Sequence, residues 1–456
     1  MNKIEIYKHL SWKIKYEAGD MPYPPVMFWK KNISKNDILG SWKNTIEYIK
    51  TKENNHNMGL YVHIPFCYTH CFFCTCITKV EHNEKKYDDY LDLIEKESEL
   101  FSNIFSGVKF NTVYVGGGTP TILSAKQIDR FYNIIKKYFD LSEVIQIMTE
   151  GSPYTTTEDK MKILSKHGIN KMTFGVQSLD TQTLKTNNRF QQFDDVKNAV
   201  DLARKYGIEY INLDIMAGIP GQDLDGFKET IDLIKTLNPT TVHVNAFMPT
   251  KNTNYIKAGG IYNYENIKIR NEMELYGKFL EDDRSKITDL GKDNIQLYNS
   301  HNFNSSILGL GYGAISHAFG QLHYTKNSFP DYKNFLNNGG KGIFFTGYKL
   351  NLEDEIITYF INNLRKGISY DKFYTIFGIE LKDTFIYRKI LFLIDKGILI
   401  NINKVIKFSL DSDVFCSIYS KYLYKDEVIK NFLNYFFKNQ KDYKNLDLML
   451  KQFFTN

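Results

Sequence analysis

From residue 59 onward the chain alternates short runs rich in Val, Ile and Tyr with amphipathic stretches at helical spacing, six times in succession. The apolar runs are 59–66, 109–115, 144–150, 171–178, 208–218 and 240–247. Their helical partners are 85–105, 124–139, 157–168, 194–207, 223–237 and 263–283. Strands joined by helix-length connections lie parallel and need helices to cover them. The pattern therefore predicts an α/β fold, as either an open doubly wound sheet or a partial barrel. In both, function collects at the C-terminal ends of the strands.

The residues with chemistry stand at those ends. Four of the five cysteines, Cys67, Cys71, Cys74 and Cys76, follow the first strand, and "GGGTP" (116–120) follows the second. Glu150 ends the third strand, Gln177 the fourth, and "AGIPGQ" (217–222) the fifth. The fifth cysteine, Cys416, stands far off and reads as a core thiol.

The chain's 456 residues are enough for a large barrel and an accessory domain. Its 43% hydrophobic and 24% charged residues suit a soluble protein with a substantial core. A net charge of +6 carried by 51 lysines and seven arginines, in no block, predicts no nucleic-acid partner. No apolar leader and no run near the ~18 apolar residues of a membrane helix are visible, so the expected compartment is the cytoplasm, with no membrane partner. In a reducing compartment, clustered cysteines point to metal binding or catalysis over disulfides.

Structural zinc takes two separated hooks, and no second hook accompanies Cys67, Cys71 and Cys74. A thioredoxin-like role needs an isolated C-x-x-C in another context. Three thiolates on one short loop suit three irons of a [4Fe–4S] cubane, leaving the fourth iron open unless Cys76 reaches it.

"YVHIPFC" with its two following cysteines, "GGGTP", "GVQS", "NLDIMAGIPGQ" and "LGLGYGAIS" (308–316) occur in one order. Together they resemble the radical S-adenosylmethionine (SAM) superfamily and, within it, the oxygen-independent coproporphyrinogen III oxidase-like family. The resemblance covers about 59–320. It implies a partial (β/α)6 TIM-like barrel with a core at 59–285 and a barrel extension with a second-pocket element (286–349). Outside it, the residues themselves read as an irregular, Pro-bearing N-terminal extension (1–58) and, from the helical stretches and the turn after 350, a small, mainly helical or winged-helix-like C-terminal domain (350–456).

The resemblance also implies a reaction. SAM would bind the open iron of a [4Fe–4S] cluster held by Cys67, Cys71 and Cys74. An electron from a donor such as flavodoxin or ferredoxin would cleave it to a 5′-deoxyadenosyl radical, which abstracts hydrogen from a small-molecule substrate. Tyr61, Gly116, Gly117, Gly118, Thr119, Glu150, Gln177, Arg189, Asp214, Ala246 and Ile315 match SAM-contacting positions, with Arg189 able to pair with the SAM carboxylate. His63 is expected to pack under the cluster, and His70 stands inside the loop.

The first expectation for the outcome is oxidative decarboxylation of a porphyrinogen-type substrate. The alternatives are a radical methyl or alkyl transferase that binds two SAM molecules, and a haem chaperone. Cys76 matches an extra, non-ligating cysteine of the decarboxylating members. Against that, "MPYPPVMFW" (21–29) lacks the family's Arg- and Tyr-bearing segment, "IQLYNSHNFNSSIL" is shortened, and no arginine lies between Arg284 and Arg365. A tetracarboxylate substrate favours arginine forks.

Overall fold

The computed structural model describes residues 23–51, 57–208, 210–261, 305–341, 345–410 and 419–437, with isolated positions from 269 to 277 and at 416. These fall into a larger unit from Lys30 to Leu350 and a smaller one formed by the chain up to Trp29 and from Asn351 onward.

The larger unit is built on an eleven-stranded sheet. In chain order its strands are β1 (Lys30–Ile33), β2 (Asn57–Ile64), β5 (Thr112–Gly117), β6 (Gln146–Gly151), β7 (Lys171–Gln177), β8 (Tyr210–Ala217), β9 (Thr241–Ala246), β10 (Ser305–Leu310), β11 (Ile315–Ala318), β12 (Leu322–Lys326) and β13 (Phe345–Lys349). The short pair β3 (Phe66–Cys67) and β4 (Lys79–Val80) stands apart from it. Its helices are α1 (Lys35–Lys50), α2 (Glu84–Ser102), α3 (Ala125–Tyr138), α4 (Glu158–Lys166), α5 (Thr181–Thr186), α6 (Phe193–Lys205) and α7 (Leu224–Thr236), followed by α8 (Asn254–Lys257) and α9 (Phe329–Asn337).

Strands β2, β5, β6, β7, β8 and β9 are the six expected ones, parallel and adjacent in sequence order. That order chooses between the two architectures. A doubly wound sheet reverses its strand order at a switch point. Here every crossover steps in the same direction, and right-handed crossovers then put all the helices on one face, as in a barrel. The sixth expected helix, 263–283, lies largely outside the described residues.

The sheet does not stop at six strands. β10 returns parallel to β2, and β11, β12, β13 and β1 continue antiparallel from it. Within the N-terminal extension, Lys30–Ile33 is thus a strand of this sheet and Lys35–Lys50 a helix. Ser34 and Asp37 form a reciprocal capping box at the start of α1. Ile38, Trp42 and Ile46 are buried on one face of α1, and the Trp42 indole donates to Tyr324 at 2.8 Å. Each fully buried chain of this kind contributes about 1.5–3 kcal/mol.

Alternation along the strands divides the residues into two faces. Met58, Leu60, Val62 and Ile64 of β2, Val113 and Val115 of β5, and Met172, Phe174 and Val176 of β7 join the large apolar cluster shared with the helices. Tyr61, Tyr114, Met148, Ile307 and Ala314 form a separate small cluster on the opposite face. The smaller unit has helices at Leu352–Asn363, Tyr370–Phe377, Tyr387–Asp395 and Asp426–Phe437. It adds an antiparallel sheet of β14 (Ile368–Ser369), β15 (Leu399–Ile402) and β16 (Val405–Phe408). Asn403 and Lys404, both at positive φ, make the two-residue turn of that hairpin. Among the described residues no helix is long and apolar enough to cross a membrane.

Candidate functional site

The face away from the helices carries the polar chemistry, and His63 stands at its centre. Its Nε2 lies 2.8 Å from the Ile77 carbonyl, which can only accept, so this nitrogen holds the proton. Nδ1 is then the acceptor for the Tyr61 hydroxyl at 2.9 Å. Burial pushes the imidazole down to about 4, so it stays neutral. One residue thereby couples Tyr61 to the backbone just beyond Cys76. A Cβ at Gly117 would lie 2.7 Å from this ring, and one at Gly313 would lie 2.8 Å from it. Both glycines have positive φ, so neither position tolerates a side chain on two counts.

The cysteine loop is closed at its base and tied on both sides. β3 and β4 pair in parallel, with the Lys79 amide donating to Pro65 O at 2.6 Å. The Phe72 amide donates to Asn187 O at 3.2 Å, and the Tyr255 amide to Phe72 O at 3.0 Å. His70, inside the loop, meets the Asn254 amide group through Nδ1 at 2.8 Å. Phe73 is buried with Ile219 and Phe247. Cys67, Cys71 and Cys74 remain partly exposed, and Cys76 is exposed.

Each of the three thiols has a donor. Thr119 Oγ1 lies 3.5 Å from Cys67 Sγ, and Arg189 Nη1 lies 3.4 Å from Cys71 Sγ. Cys76 hydrogen-bonds Cys74 and holds its thiol below the ordinary range, at about 7. Burial pushes Cys67 up to about 12, against the Thr119 hydrogen bond.

Gly116, Gly117 and Gly118 approach this group so closely that only backbone fits. A Cβ at Gly116 would meet the Glu150 carboxyl at 3.0 Å, and one at Gly118 would meet Phe66 O at 2.5 Å and Cys67 Sγ at 3.0 Å. Glu150 accepts from the Tyr114 hydroxyl and, at 3.1 Å, from the Gly117 amide. Burial raises its pKa to about 7, opposed by the Tyr114 bond and reinforced by the nearby Asp214 charge. Arg189 is held by Gly175 O and by Gln191 Oε1 at 3.0 Å.

Gln177 sits at φ 69, at a register shift between β7 and β8, and among the described residues its Oε1 is buried with no hydrogen-bond partner. Asp214 accepts from Asn212 at 2.7 Å and lies 3.5 Å from His243 Nδ1. Ala246 ends β9 opposite Ala217 of β8, and Ile315 begins β11 opposite Thr325 of β12.

Tyr114 and His243 were not singled out in the sequence. Period two would have found Tyr114, two residues before Gly116 on β5, whereas His243 is set opposite Asp214 only by the register of β8 and β9.

The second glycine-rich turn, 309–313, is held from behind. Glu97 Oε2 accepts from the Gly311 amide at 2.7 Å and from the Tyr332 hydroxyl at 2.8 Å. Lys326 lies 3.0 Å from Glu97 Oε1 and donates to Gly309 O at 2.6 Å, with both charged side chains almost wholly buried. Tyr90 donates to His63 O at 2.7 Å and accepts from the Tyr312 amide at 2.9 Å. No sequence pattern announced the Glu97–Lys326 pair, because its members are 229 positions apart.

Among the described residues no three His, Cys, Asp or Glu side chains are gathered closely enough to hold a single metal ion. The donor set is nevertheless a soft one, three thiols with a guanidinium, a carboxyl and an orphaned amide oxygen beside them. Those are groups suited to an iron–sulfur centre and to a ligand with amino and carboxylate ends.

Residues 61–234 match the radical SAM superfamily. Oxygen-independent coproporphyrinogen III oxidase of Helicobacter pylori (strain J99) is 32% identical over 224 residues, 49% of this chain and 48% of that protein. The enzyme of the same name from Escherichia coli (strain K12) is 32% identical over 195 residues, 42% of this chain and 43% of that one. The chain thus spans about half the length of the curated relatives it matches. The solved structure of coproporphyrinogen III oxidase from Escherichia coli, described as a radical SAM enzyme, aligns over 90% of this chain and 97% of that one. Its TM-score is 0.72 at 20% identity, a likeness of fold.

Proposed function

We propose that this chain is a member of the radical SAM superfamily and of its coproporphyrinogen III oxidase-like family, and that the strand-end site initiates radical chemistry on a carboxylate-bearing porphyrinogen. The overall reaction would be its oxidative decarboxylation. The match of residues 61–234 and the 32% identity to the Helicobacter pylori enzyme support this reading. The observation that carries this reading is the gathering of the Cys67–Cys76 loop, the Gly116–Gly118 backbone, Glu150 and Arg189 at neighbouring strand ends.

Cys67, Cys71 and Cys74 would hold a [4Fe–4S] cluster, and Cys76 would remain a thiol hydrogen-bonded to Cys74. With SAM bound, that group supplies one-electron cleavage of the sulfonium and so a hydrogen-abstracting equivalent.

The remaining work belongs to the chain. Glu150, with a pKa near neutrality, takes a cationic amino group once it gives up its proton. Arg189 keeps N–H groups beyond those committed to Gly175, Gln191 and Cys71, and these bind a carboxylate. The Tyr61–His63–Ile77 chain fixes the Tyr61 ring relative to the loop. Gln177 offers its unpaired oxygen, and Asp214 orients a hydroxyl-bearing ligand. An external one-electron donor of the flavodoxin or ferredoxin kind would supply the electron for SAM cleavage, and a one-electron acceptor would take the electron released as the carboxylate leaves as carbon dioxide.

The test is anaerobic reconstitution with iron and sulfide, followed by SAM, dithionite and coproporphyrinogen III. Expected are 5′-deoxyadenosine and loss of carbon dioxide from the macrocycle, both abolished in Cys71→Ala. Deoxyadenosine without decarboxylation would remove the porphyrinogen assignment. S-adenosylhomocysteine as the main product would replace it with methyl transfer, and an intact cluster that yields neither nucleoside product would leave a chaperone.

A further inference from the structure

Two of the three thiols on the cysteine loop receive a hydrogen bond from outside the loop, and each donor is held by bonds of its own. Thr119 sits in the turn after β5. Its amide donates to Phe66 O at 2.8 Å, and its hydroxyl reaches Cys67 Sγ at 3.5 Å. Arg189 follows α5. Its Nε donates to Gln191 Oε1 at 3.0 Å, another arm meets Gly175 O, and Nη1 points to Cys71 Sγ at 3.4 Å. Gln191 is itself wholly buried and bonded to the Val176 and Ser178 carbonyls. Both donors are therefore held by bonds to the protein's own groups.

A hydrogen bond to a ligating sulfur stabilises the more negative, reduced cluster, and a fixed cation beside it does the same. We propose that Thr119 and Arg189 raise the reduction potential of the cluster through their bonds to the Cys67 and Cys71 sulfurs, with Arg189 doing so independently of any carboxylate it binds. This rests on the cluster reading above. The step involved is the one-electron reduction of the cluster by an external donor. No bond is made or broken in it, and the added negative charge is spread over the core and its sulfurs. Reduction thus becomes easier before the substrate is engaged. Arg189 is suited to both tasks because a guanidinium presents five N–H donors in a rigid fork and keeps its charge at all working pH values.

The experiment is a potentiometric titration of the reconstituted protein without SAM, followed by the electron paramagnetic resonance of the reduced cluster. Iron and sulfide are counted in every sample. Arg189→Gln is expected to lower the equilibrium constant for reduction about tenfold, which is about 59 mV for one electron. Thr119→Val should lower it about threefold, in line with a neutral hydrogen bond to a charged group. Thr119→Ser, which keeps the hydroxyl, should return the wild-type value, and Arg189→Lys should fall between wild type and Arg189→Gln. Full clusters with unchanged potentials in both Arg189→Gln and Thr119→Val would overturn the proposal. A wild-type protein that assembles no cluster would instead sink the cofactor reading on which it stands, so the two failures are separable.

Discussion

Two glycine-rich turns approach the same His63 ring closely, one through Gly117 and one through Gly313, yet the carboxylates behind them are treated differently. Glu97, behind the 309–313 turn, is surrounded by donors: the Gly311 amide, the Tyr332 hydroxyl and the Lys326 ammonium. Glu150, behind the 116–118 turn, has the Gly117 amide and the Tyr114 hydroxyl but, among the described residues, no cation within salt-bridge reach. Its pKa is accordingly lifted to about 7, mainly by burial. A saturated carboxylate is scaffolding. One that is desolvated and short of positive charge is a place for a cationic ligand. The same kinds of residue thus build a support behind one turn and a binding position behind the other.

The sharpest way to break that comparison is to unpair the scaffold. Glu97→Gln leaves Lys326 buried without its counter-charge and should cost about 3–5 kcal/mol of stability, read from urea unfolding. Glu97→Gln with Lys326→Met should recover part of that loss. If the single variant is as stable as wild type, the pair does not hold the turn.

A smaller effect belongs to Glu150. Its carboxyl binds its proton more tightly in the folded protein, with a pKa of about 7 against the ordinary 4.5. The stability this gives is fully present below about 4.5 and is lost as pH rises through about 7, on the order of 3 kcal/mol in all. Urea midpoints across that window should show the decline in wild type and a flatter profile in Glu150→Gln. Parallel profiles would remove Glu150 from its role as the proton-holding group.

The smallest expected change sharpens the contrast rather than breaking it. Tyr332→Phe takes one donor of three from Glu97 and should cost about 1–2 kcal/mol, with the wild-type cluster potential retained. A shifted potential would mean that the scaffold side also tunes the site.

Local pattern carried much of this. The six strands and the helices that follow the first five of them, and the placement of Cys67, Gly116–Gly118, Glu150 and Gln177 at strand ends, were legible because periodicity and strand-end position are properties of short segments. Other features had no local signature. The place of Lys30–Lys50 in the fold shows itself only when α1 packs its Trp42 against Tyr324 of β12, 282 positions away. His243 becomes a site neighbour only through the register that sets it opposite Asp214.

By itself, then, the sequence determined the α/β class, the parallel core and the identity of the thiol loop. These follow from side-chain hydrophobicity repeating over a few residues, and from cysteine's particular chemistry. The tertiary structure alone decided the order of strands, and hence a barrel-like winding over a doubly wound sheet. It also decided which nitrogen of His63 carries the proton, which donors reach Cys67 and Cys71, and which of two buried glutamates is neutralised by a lysine. Each of these depends on distances of a few ångströms between residues remote in sequence, where burial multiplies the effect of every charge and every unpaired hydrogen-bonding group.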